Sequence, residues 1–397
     1  MKIACVVHRF GADIAGGSEA HCRQVAERLA ATHDVTVLTT CAKDHITWRN
    51  EYPSGESPLG PVRVRRFPVA RQRSLQRFRT ISDLAFSGSA SDDEQEDWFR
   101  ENGPDSPALV EHIRTHGHEY DRVIFWAFRY AEVYFGLPAV ADRAILVPTA
   151  EDDPVVRMDV LDRFFTRPAG YIFLTPEEQD LVERRMVGPP PPSSVVGSGL
   201  EPVGARSNGS AGALLESLGV TPPFLLYLGR IDPNKGCETL LRHFIRYTSE
   251  HTAAVQLVMA GPVNMPMPDH PQVKRLGFVD ATVRDALLSQ AAMLVVPSRF
   301  ESLSLVLLEG WNHGLGALVN GHCLVLKGQA LRANGALYYR NYDEFARALE
   351  YLLEHPEVGR QLGEQGLDYV NREYRWPRVI GRIDELLHRV GPTPRQA

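Results

Sequence analysis

The sequence predicts an α/β protein with two domains, each a doubly wound parallel sheet of Rossmann-like type. Three observations lead to this prediction. Short apolar runs rich in β-branched residues alternate with helical patterns, which is typical of strand–helix–strand units. A break rich in proline, serine and glycine lies near residue 200, and the alternation starts again after it. The 397 residues are also enough for two domains with cores of their own.

The first half opens with a strand, a glycine loop, a helix and a second strand. Residues 3–7 form an apolar run typical of a strand buried on both faces, and the sequence GGSE at 16–19 opens the helix. Residues 34–40 are the second β-rich run. Further strands are predicted at 123–126, 144–147 and 171–174, each followed by a loop or a helical pattern.

The domain boundary is predicted near residue 200. The four prolines at 189–192 cannot form a helix or a central strand, and residues 207–212 are interpreted as a Ser/Gly-rich linker. The predicted domains are residues 1–200 and 201–375. A final helix, from about 376 to 390, is expected to pack back on the first domain and to be followed by a frayed tail.

Strands of the second domain are predicted at 224–228, 255–260, 294–297 and 317–320. A parallel sheet in each domain places ligands beyond the carboxyl ends of its strands, and a ligand is therefore expected in the cleft between the domains.

Composition excludes several classes of protein. The net charge of -6 argues against nucleic-acid binding by bulk electrostatics, and no run of about 18 apolar residues predicts a membrane span. The apolar stretch near the N-terminus is too short for a signal peptide, so we expect a cytoplasmic protein. The five cysteines show no CxxC spacing, which argues against a disulfide framework or a zinc site.

Two glycine-containing loops are candidates for binding an anion. Gly16 and Gly17 precede a helix, where glycine lets a ligand approach the backbone; a simple tight turn explains them equally well. No third glycine completes a dinucleotide-binding fingerprint. The loop GRIDPNKG (229–236) places Arg230 and Lys235 before a second helix, which suits a diphosphate, with solvated surface charges as the alternative.

The segment ESLSLVLLE (301–309) follows a predicted buried strand. Glu301 and Glu309 flank its apolar residues, and a helix starting at Ser302 or Ser304 would have a serine to cap it. The first N–H groups of that helix would face the same cleft as the cations of the 229–236 loop. Carboxylates at such a strand end suit hydrogen bonds to hydroxyls, including those of a ribose; two exposed acids are the alternative.

In combination, GGSE, GRIDPNKG and E-x7-E, in this order over essentially the whole chain, resemble family 4 glycosyltransferases (glycosyl transferases group 1). That family consists of retaining, nucleotide-sugar-dependent enzymes of the GT-B fold, in which two Rossmann-like domains face each other across a cleft. The resemblance implies that residues 1–200 bind the acceptor and residues 201–375 bind the donor.

The resemblance also implies roles for individual residues. Arg230 and Lys235 would hold the donor diphosphate, and the backbone of Gly17, next to Gly16, would meet the same phosphate. In the second domain the implied contacts are Glu301 near the donor sugar, Glu309 on the ribose, the backbone amides of Ser304 and Leu305 near the phosphate, and the loop of Gly277, Phe278 and Val279 at the base.

The implied reaction is retaining transfer of a sugar, a hexose, from a UDP- or GDP-linked donor to a hydroxyl of a glycan, lipid-linked or small-molecule acceptor. The leaving diphosphate would be stabilised by the two cations and the helix N-terminus. A donor phosphate oxygen would take the acceptor proton, so no cofactor, metal or protein nucleophile is expected. The sequence has no DxD motif in a convincing metal-binding context, and Asp152-Asp153 is interpreted as a polar loop.

The sequence departs from the family pattern around the donor sugar. Where members usually carry a histidine, the stretch PTAEDDP (148–154) has Glu151, which Asp152 could assist. Gly-Leu-Gly at 314–316 replaces the usual Gly-Leu-Pro, and Asn-Gly-His-Cys at 320–323 replaces a glycine pair. A catalytically silent sugar-nucleotide-binding protein therefore remains an alternative. A nucleotide-sugar epimerase, which shares the architecture, is disfavoured because such isomerases lack the GRxxxxKG and E-x7-E set.

Two features are assigned to the acceptor side. Arg129 follows the strand at 123–126, whose Phe125 and Trp126 are expected in the core. Seven arginines lie between residues 63 and 79: Arg63, Arg65, Arg66, Arg71, Arg73, Arg77 and Arg79. They are interpreted either as a solvated basic surface or as a contact with an anionic acceptor or with the inner face of the membrane, which would make the protein peripheral to it.

Overall fold

The computed structural model describes residues 1–14, 16–204, 208–252 and 254–392. The chain divides into two compact units. The first domain comprises Met1–Ser198 together with the C-terminal segment that starts at Pro377, and the second domain is Gly199–Trp376. Of the predicted tail, residues 393–397 lie outside the described residues, as does Ser207 of the predicted linker.

The first domain is built on an eight-stranded sheet in the order β3-β4-β2-β1-β5-β6-β7-β8. Only the β3–β4 pair is antiparallel. The strands are β1 Lys2–Val6, β2 Asp34–Thr40, β3 Gly55–Leu59, β4 Val62–Phe67, β5 Arg122–Trp126, β6 Ala144–Val147, β7 Gly170–Phe173 and β8 Ser193–Val195.

Helices of the first domain connect these parallel strands. They are α1 Gly17–Leu29, α2 Leu75–Ala85, α3 Asp92–Asn102, α4 Pro107–His116, α5 Ala131–Gly136, α6 Val160–Phe164 and α7 Pro176–Glu183. The central strands β5 and β6 are buried at every position, as expected for a parallel sheet covered on both faces. Phe125 and Trp126 are fully buried, which confirms their predicted place in the core.

The second domain contains a six-stranded, fully parallel sheet in the order β11-β10-β9-β12-β13-β14. Its strands are β9 Phe224–Leu228, β10 Gln256–Ala260, β11 Val273–Gly277, β12 Met293–Val296, β13 Ala317–Asn320 and β14 Ala336–Tyr339. Its helices are α8 Asn208–Ser217, α9 Cys237–Glu250, α10 Ala281–Gln290, α11 Leu305–Asn312, α12 Leu324–Ala333, α13 Tyr342–Glu354 and α14 Pro356–Glu373. The two parallel sheets confirm the predicted α/β fold class.

The last helix, α15 (Trp376–Arg389), returns the chain to the first domain. The buried side chain of Arg122 donates from Nε to the carbonyl of Leu387, at 2.7 Å, and from Nη1 to the carbonyl of Pro392, at 2.9 Å. His33 Nε2 lies 2.8 Å from Asp384 Oδ1. A buried guanidinium thus hydrogen-bonds one carbonyl in the last turn of α15 and one in the segment that follows the helix.

The predicted linker at 207–212 is wrong for the residues that the structure describes. Helix α8 begins at Asn208, and Leu215, on the same helix, is buried. The four prolines at 189–192 also do not form the joint between the domains, because β8 follows them and still belongs to the first sheet. Burial of an apolar side chain against the domain outweighs the low helix propensity of the glycine-rich sequence.

Candidate functional site

The loops after β9 and β12 meet at the carboxyl edge of the second sheet, where the two strands are neighbours. Gly236 ends the first of these loops with a φ of 76°, in the left-handed region that favours glycine. A Cβ at this position would lie 2.3 Å from the carbonyl oxygen of Pro297, in the second loop. The contact therefore requires glycine for both its backbone angle and its lack of a side chain.

This meeting of loops brings together two of the predicted site residues. Lys235 Nζ donates to Glu301 Oε1 at 3.0 Å, and both side chains are largely shielded from solvent. Lys235 closes the short 3₁₀ turn Pro233–Lys235, whose preceding residue Asp232 accepts a hydrogen bond from Asn234 N at 2.8 Å. Lys235 and Glu301 are 66 residues apart in sequence, but they form an ion pair because β9 and β12 lie side by side.

Arg230 begins the same loop, and its side chain is exposed. Its backbone is fixed, since the Tyr227 hydroxyl donates to the Arg230 carbonyl at 2.5 Å. The structure therefore places Arg230 and Lys235 on one ordered loop, with the lysine ion-paired and the guanidinium facing solvent. Such an arrangement leaves a cationic group available to an anion that binds from solvent.

Helix α11 begins at Leu305, and Ser304 occupies the N-cap position. The expected cap by a serine hydroxyl is wrong: Ser304 has φ 68° and ψ 78°, whereas a capping serine has an extended backbone. Its Oγ is buried and has no hydrogen-bond partner among the described residues. The carbonyl of Leu303 accepts a hydrogen bond from the buried Gln329 side chain. The turn is thus held from α12, and the first N–H groups of α11 are not capped by the serine.

Glu309 lies on the second turn of α11, as predicted. Burial raises the pKa of Glu309 above its ordinary value, while Arg284 and His313 act in the opposite direction. Arg284 Nη1, from α10, lies 3.6 Å from Glu309 Oε1. Sequence reasoning missed Arg284 because its partner is 25 residues away, on another helix, and only the packing of α10 and α11 shows the pair.

The predicted base-binding loop follows β11, at the edge of the sheet. Gly277 has a φ of 69° and accepts a hydrogen bond from Gly261 N at 2.7 Å through its carbonyl. Phe278 is 82% exposed and Val279 is half-buried. An exposed aromatic ring after a fixed turn is available for stacking on a planar ligand.

Asn320, one of the departures from the family pattern, supports the same loop that carries Glu301. Its Nδ2 donates to the Pro297 carbonyl at 3.0 Å, and its Oδ1 accepts from His322 N at 2.9 Å. Both interactions lie at the carboxyl end of β13, next to β12. An amide side chain at this position therefore fixes the geometry of the neighbouring loop.

In the first domain, the glycine loop before α1 rests on a buried ion-pair cluster. Glu19 accepts a hydrogen bond from Arg9, and its Oε1 lies 2.8 Å from His8 Nε2. Burial alone would raise the pKa of Glu19, but His8 and Arg9 hold the pKa below its ordinary value. A Cβ at Gly16 would meet the Glu19 carboxylate at 2.2 Å, which explains glycine there. Around Gly17, by contrast, no atom lies within 4 Å of such a Cβ.

Glu151 lies in the loop after β6, where Arg129 from the loop after β5 reaches it. Arg129 Nη2 is 3.9 Å from Glu151 Oε2 and 2.9 Å from Asp153 Oδ2. Asp152, predicted to assist Glu151, is exposed and instead pairs with Arg157 at 2.8 Å. The structure therefore brings Glu151 and Arg129 together, with Asp153 in place of Asp152. Sequence reasoning missed Asp153 because Asp152 and Asp153 are neighbours in one loop. Only the folded backbone of that loop shows which of them faces Arg129.

The arginine-rich segment is largely engaged inside the first domain. Arg63 pairs with Asp34, Arg71 and Arg77 both pair with Glu101, and Arg73 bonds the Asn102 carbonyl. Arg66 is buried and donates to the Phe10 carbonyl and to Ser57 Oγ. Five of the seven arginines thus have partners within the domain. Most of this positive charge is compensated or used for structure.

Metal-ligand clusters and membrane-spanning helices were both sought in the described residues. Among residues 1–14, 16–204, 208–252 and 254–392, no three histidine, cysteine, aspartate or glutamate side chains come together as metal ligands. None of the helices in this part of the chain is long and apolar enough to cross a membrane.

Comparison with known proteins gives a family match for part of the second domain. Residues 222–355, about a third of the chain, match the family model described as glycosyl transferases group 1. This match includes Arg230, Lys235, Glu301 and Glu309, and it confirms the family resemblance for that segment. A search of curated proteins gave no match.

Solved structures of similar fold cover nearly the whole chain. Sucrose-phosphate synthase from Thermosynechococcus elongatus matches at 18% identity with a TM-score of 0.70, over 98% of each chain. An E. coli trehalose-6-phosphate protein bound with UDP-2-fluoro glucose matches at 12% and 0.70, over 99% of this chain and all of the other. Anabaena Alr3699/HepE in complex with UDP matches at 14% and 0.69, over 98% and 100%. These matches confirm the predicted GT-B fold.

Proposed function

We propose, from the membership of residues 222–355 in glycosyl transferases group 1 and the geometry at β9 and β12, that the protein is a retaining glycosyltransferase. It transfers a sugar, a hexose, from a nucleoside diphosphate donor to an acceptor hydroxyl. The donor is UDP- or GDP-linked, and the acceptor belongs to a glycan, a lipid-linked sugar or a small metabolite. The transfer uses no metal and no cofactor.

The observation that carries this proposal is the contact between Lys235 and Glu301, a residue of the loop that leads into α11. In this 3.0 Å ion pair, Lys235 is a cation that can bind phosphate, and Glu301 is a carboxylate that can accept hydrogen bonds from sugar hydroxyls. Helix α11 begins four residues after Glu301 without a side-chain cap, and a helix N-terminus carries a partial positive charge that favours an anion. Diphosphate and sugar would therefore be bound next to each other, as cleavage of the bond between them requires.

In the proposed reaction the bond between the anomeric carbon and the diphosphate oxygen breaks as the acceptor oxygen attacks the same face of the sugar. The diphosphate leaves with the electron pair, and one of its oxygens takes the acceptor proton. Lys235, Arg230 and the helix N-terminus stabilise the charge that develops on the leaving group. Glu309 accepts hydrogen bonds from the ribose, and Phe278 and Val279 border the base.

Gly17 supports the same proposal from the first domain. Among the described residues beyond its own helix and chain neighbours, no atom lies within 4 Å of a Cβ built at this position, so packing against them does not require glycine. A close approach of a phosphate to the backbone at the start of α1 provides a reason for the missing side chain.

A peripheral contact with the membrane is not part of the proposal. The arginines at 63–79 are mostly used within the first domain, as described above.

A second candidate function is a catalytically silent sugar-nucleotide-binding protein. Glu151 favours it, because a glutamate stands where the family carries histidine and lies 3.9 Å from Arg129. In that case the second domain would bind a nucleotide sugar without transfer. Both candidate functions predict binding of a nucleotide sugar, but only the transferase predicts turnover.

The experiment is a release assay with the purified full chain. Free nucleoside diphosphate is measured for a panel of UDP- and GDP-sugars, with and without glycan, lipid-linked and small-molecule acceptors. The panel begins with UDP-glucose, because the HepE structures include complexes with UDP and UDP-glucose. Release that depends on an acceptor, with retained anomeric configuration in the product, supports the transferase.

Variants at Glu151 separate the two candidates. If the protein is a transferase, Glu151→Ala should lower turnover by about tenfold or more, since the family resemblance implies that the residue at this position faces the donor sugar. Affinity for free UDP should change little, because the nucleotide is bound by the second domain. Activity that appears only in Glu151→His would instead identify the natural protein as a silent binder.

A further inference from the structure

The loop at 148–154, which carries Glu151, is held in an unfavourable backbone conformation. Thr149 has a φ of 50°, in the left-handed region that a β-branched residue rarely adopts. From the side of β5, Phe128 N donates to the Pro148 carbonyl at 3.3 Å, and Arg129 pairs with Asp153. Interactions outside the loop must therefore compensate the strain at Thr149.

On the side of β7, the compensating group is the carboxylate of Glu178. This side chain is 1% exposed. Its Oε1 accepts a hydrogen bond from Ala150 N at 2.6 Å, and its Oε2 accepts one from Leu174 N at 2.6 Å. Ala150 directly precedes Glu151, and Leu174 directly follows β7. One carboxylate thus ties the backbone of the Glu151 loop to the end of the neighbouring strand.

The local sequence explains this orientation of Glu178. Thr175 is the N-cap of α7, and its Oγ1 accepts a hydrogen bond from Glu178 N at 3.2 Å. This T-x-x-E arrangement is the signature of a capping box, in which the glutamate turns back toward the start of its own helix. Here the turned-back carboxylate reaches Leu174 and, across the sheet edge, the loop after β6.

We propose that Glu178 is a positioning residue for Glu151: it fixes the backbone at Ala150 and thereby the direction in which the Glu151 carboxylate points. This inference rests on the function proposed above for its catalytic consequence, but its structural part can be measured without activity. Glu178 does not touch substrate and acts only through the loop.

The ionisation of Glu178 couples this position to pH. Burial raises the pKa of Glu178 to about 8, the hydrogen bonds from Leu174 and Ala150 act in the opposite direction, and the Glu151 carboxylate, facing it from the loop, adds to the rise. On β7, against which α7 packs, the titratable Tyr171 donates its hydroxyl to the Phe165 carbonyl. A carboxylate accepts two backbone N–H groups better than a carboxylic acid does, so the loop should be fixed more firmly above this pH.

The test compares the wild-type protein with Glu178→Gln and with the control Asp180→Asn, an exposed change on the same helix. Amide hydrogen exchange is measured by mass spectrometry across residues 148–154 in the unliganded full chain. The glutamine retains the size of the side chain but replaces one acceptor oxygen by a donor. We expect exchange at Ala150 to become about tenfold faster in Glu178→Gln and to stay unchanged in Asp180→Asn.

Steady-state kinetics with the best donor and acceptor from the panel measure the catalytic consequence. We expect Glu178→Gln to lower kcat by about tenfold or more and to leave the KM for the donor nearly unchanged. The kcat of the wild type should rise with pH through about 8, and this step should be absent from the variant. A residue that only stabilised the fold would not move the pH profile.

The two proposals can fail separately. A wild-type protein without turnover contradicts the transferase, while faster exchange at Ala150 in Glu178→Gln still supports the positioning contact. Unchanged exchange at Ala150 overturns the contact whatever the activity. If Glu178→Gln does not fold, hydrogen exchange of the wild-type protein alone tests the inference. The protection factor of the Ala150 amide should rise between pH 7 and pH 9, and a protection factor that does not change with pH overturns the inference.

Discussion

Lys235 combines two interactions that a lysine can make at the same time. Its ammonium group has three donors and donates to Glu301 at 3.0 Å, and the diphosphate of the donor is the second partner that we propose. Because a single charged donor at a developing oxyanion contributes about 10²–10³ in rate, Lys235→Ala should lower turnover by about a hundredfold or more. Steady-state kinetics with the donor and acceptor from the panel measure this change.

The matched control is Lys274→Ala, a half-buried lysine near the start of β11 and so at the opposite end of the sheet. It should leave turnover within a few-fold of the wild type. Activity of Lys235→Ala at the level of this control would show that the lysine does not act on the leaving group.

Individual residues also show where sequence reasoning is limited. The spacing of the motifs predicted Lys235, Glu301 and Glu309, because each lies at a fixed distance from a strand end along the chain. The partners of such residues lie on other elements, and a single sequence carries no signal for Arg284 or Asp153. Glu178 did carry a signal, the T-x-x-E pattern, but that pattern indicates a helix start and not a contact with the next loop.

At the scale of elements, Gly236 joins the two loops that form the candidate site. A side chain there would need both a φ of 76° and space now taken by the Pro297 carbonyl, 2.3 Å from the added Cβ. Gly236→Ala should therefore push the Lys235 and Glu301 loops apart. We expect affinity for UDP and turnover both to fall by about tenfold or more, with a cost in stability of about 1–3 kcal/mol. Calorimetric titration with UDP and thermal unfolding measure these effects.

Gly60→Ala separates the clash from the backbone strain. Gly60 has a similar φ of 58°, and no atom lies within 4 Å of an added Cβ. This control should lower the free energy of unfolding by about 1–2 kcal/mol and leave UDP affinity unchanged. Equal UDP affinity in both variants would mean that the contact at Pro297 does not shape the site.

Strands were more predictable than helices for a physical reason. Runs that are buried on both faces are rich in apolar and β-branched residues, and the predicted bounds 34–40, 144–147, 224–228 and 317–320 coincide with β2, β6, β9 and β13. Strand β3, in contrast, is exposed along most of its length and contains a proline, so its sequence gives no strand pattern. Helix α8 was taken for a linker because only tertiary burial of residues such as Leu215 makes it a helix.

At the scale of the whole molecule, the chain leaves the first domain after Ser198 and returns to it at Pro377. The returning helix α15 contributes fully buried residues to that domain, among them Val379, Ile383 and Leu387. The stability of the first domain therefore depends on a segment that follows the whole second domain in sequence. In such a discontinuous domain, a substitution at a contact that attaches the returning segment is expected to lower the stability of the domain.

Arg122 is that point of attachment, and it supplies the last prediction. The side chain is 1% exposed, and its guanidinium bonds the carbonyls of Leu387 and Pro392 at the end of α15. Arg122→Ala removes the donors, takes this partner from the carbonyl of the buried Leu387 and creates a cavity, so it should lower the stability of the first domain by about 2–4 kcal/mol. Hydrogen exchange should become faster in α15 and in β5 but stay unchanged in β9 and β12. Arg389→Ala, an exposed change in the last turn of the same helix, should have little effect, because its single bond to the Ser193 carbonyl is long, at 3.3 Å. If β9 and β12 lose protection together with α15, the two domains unfold as one unit and Arg122 stabilises the whole molecule rather than one domain.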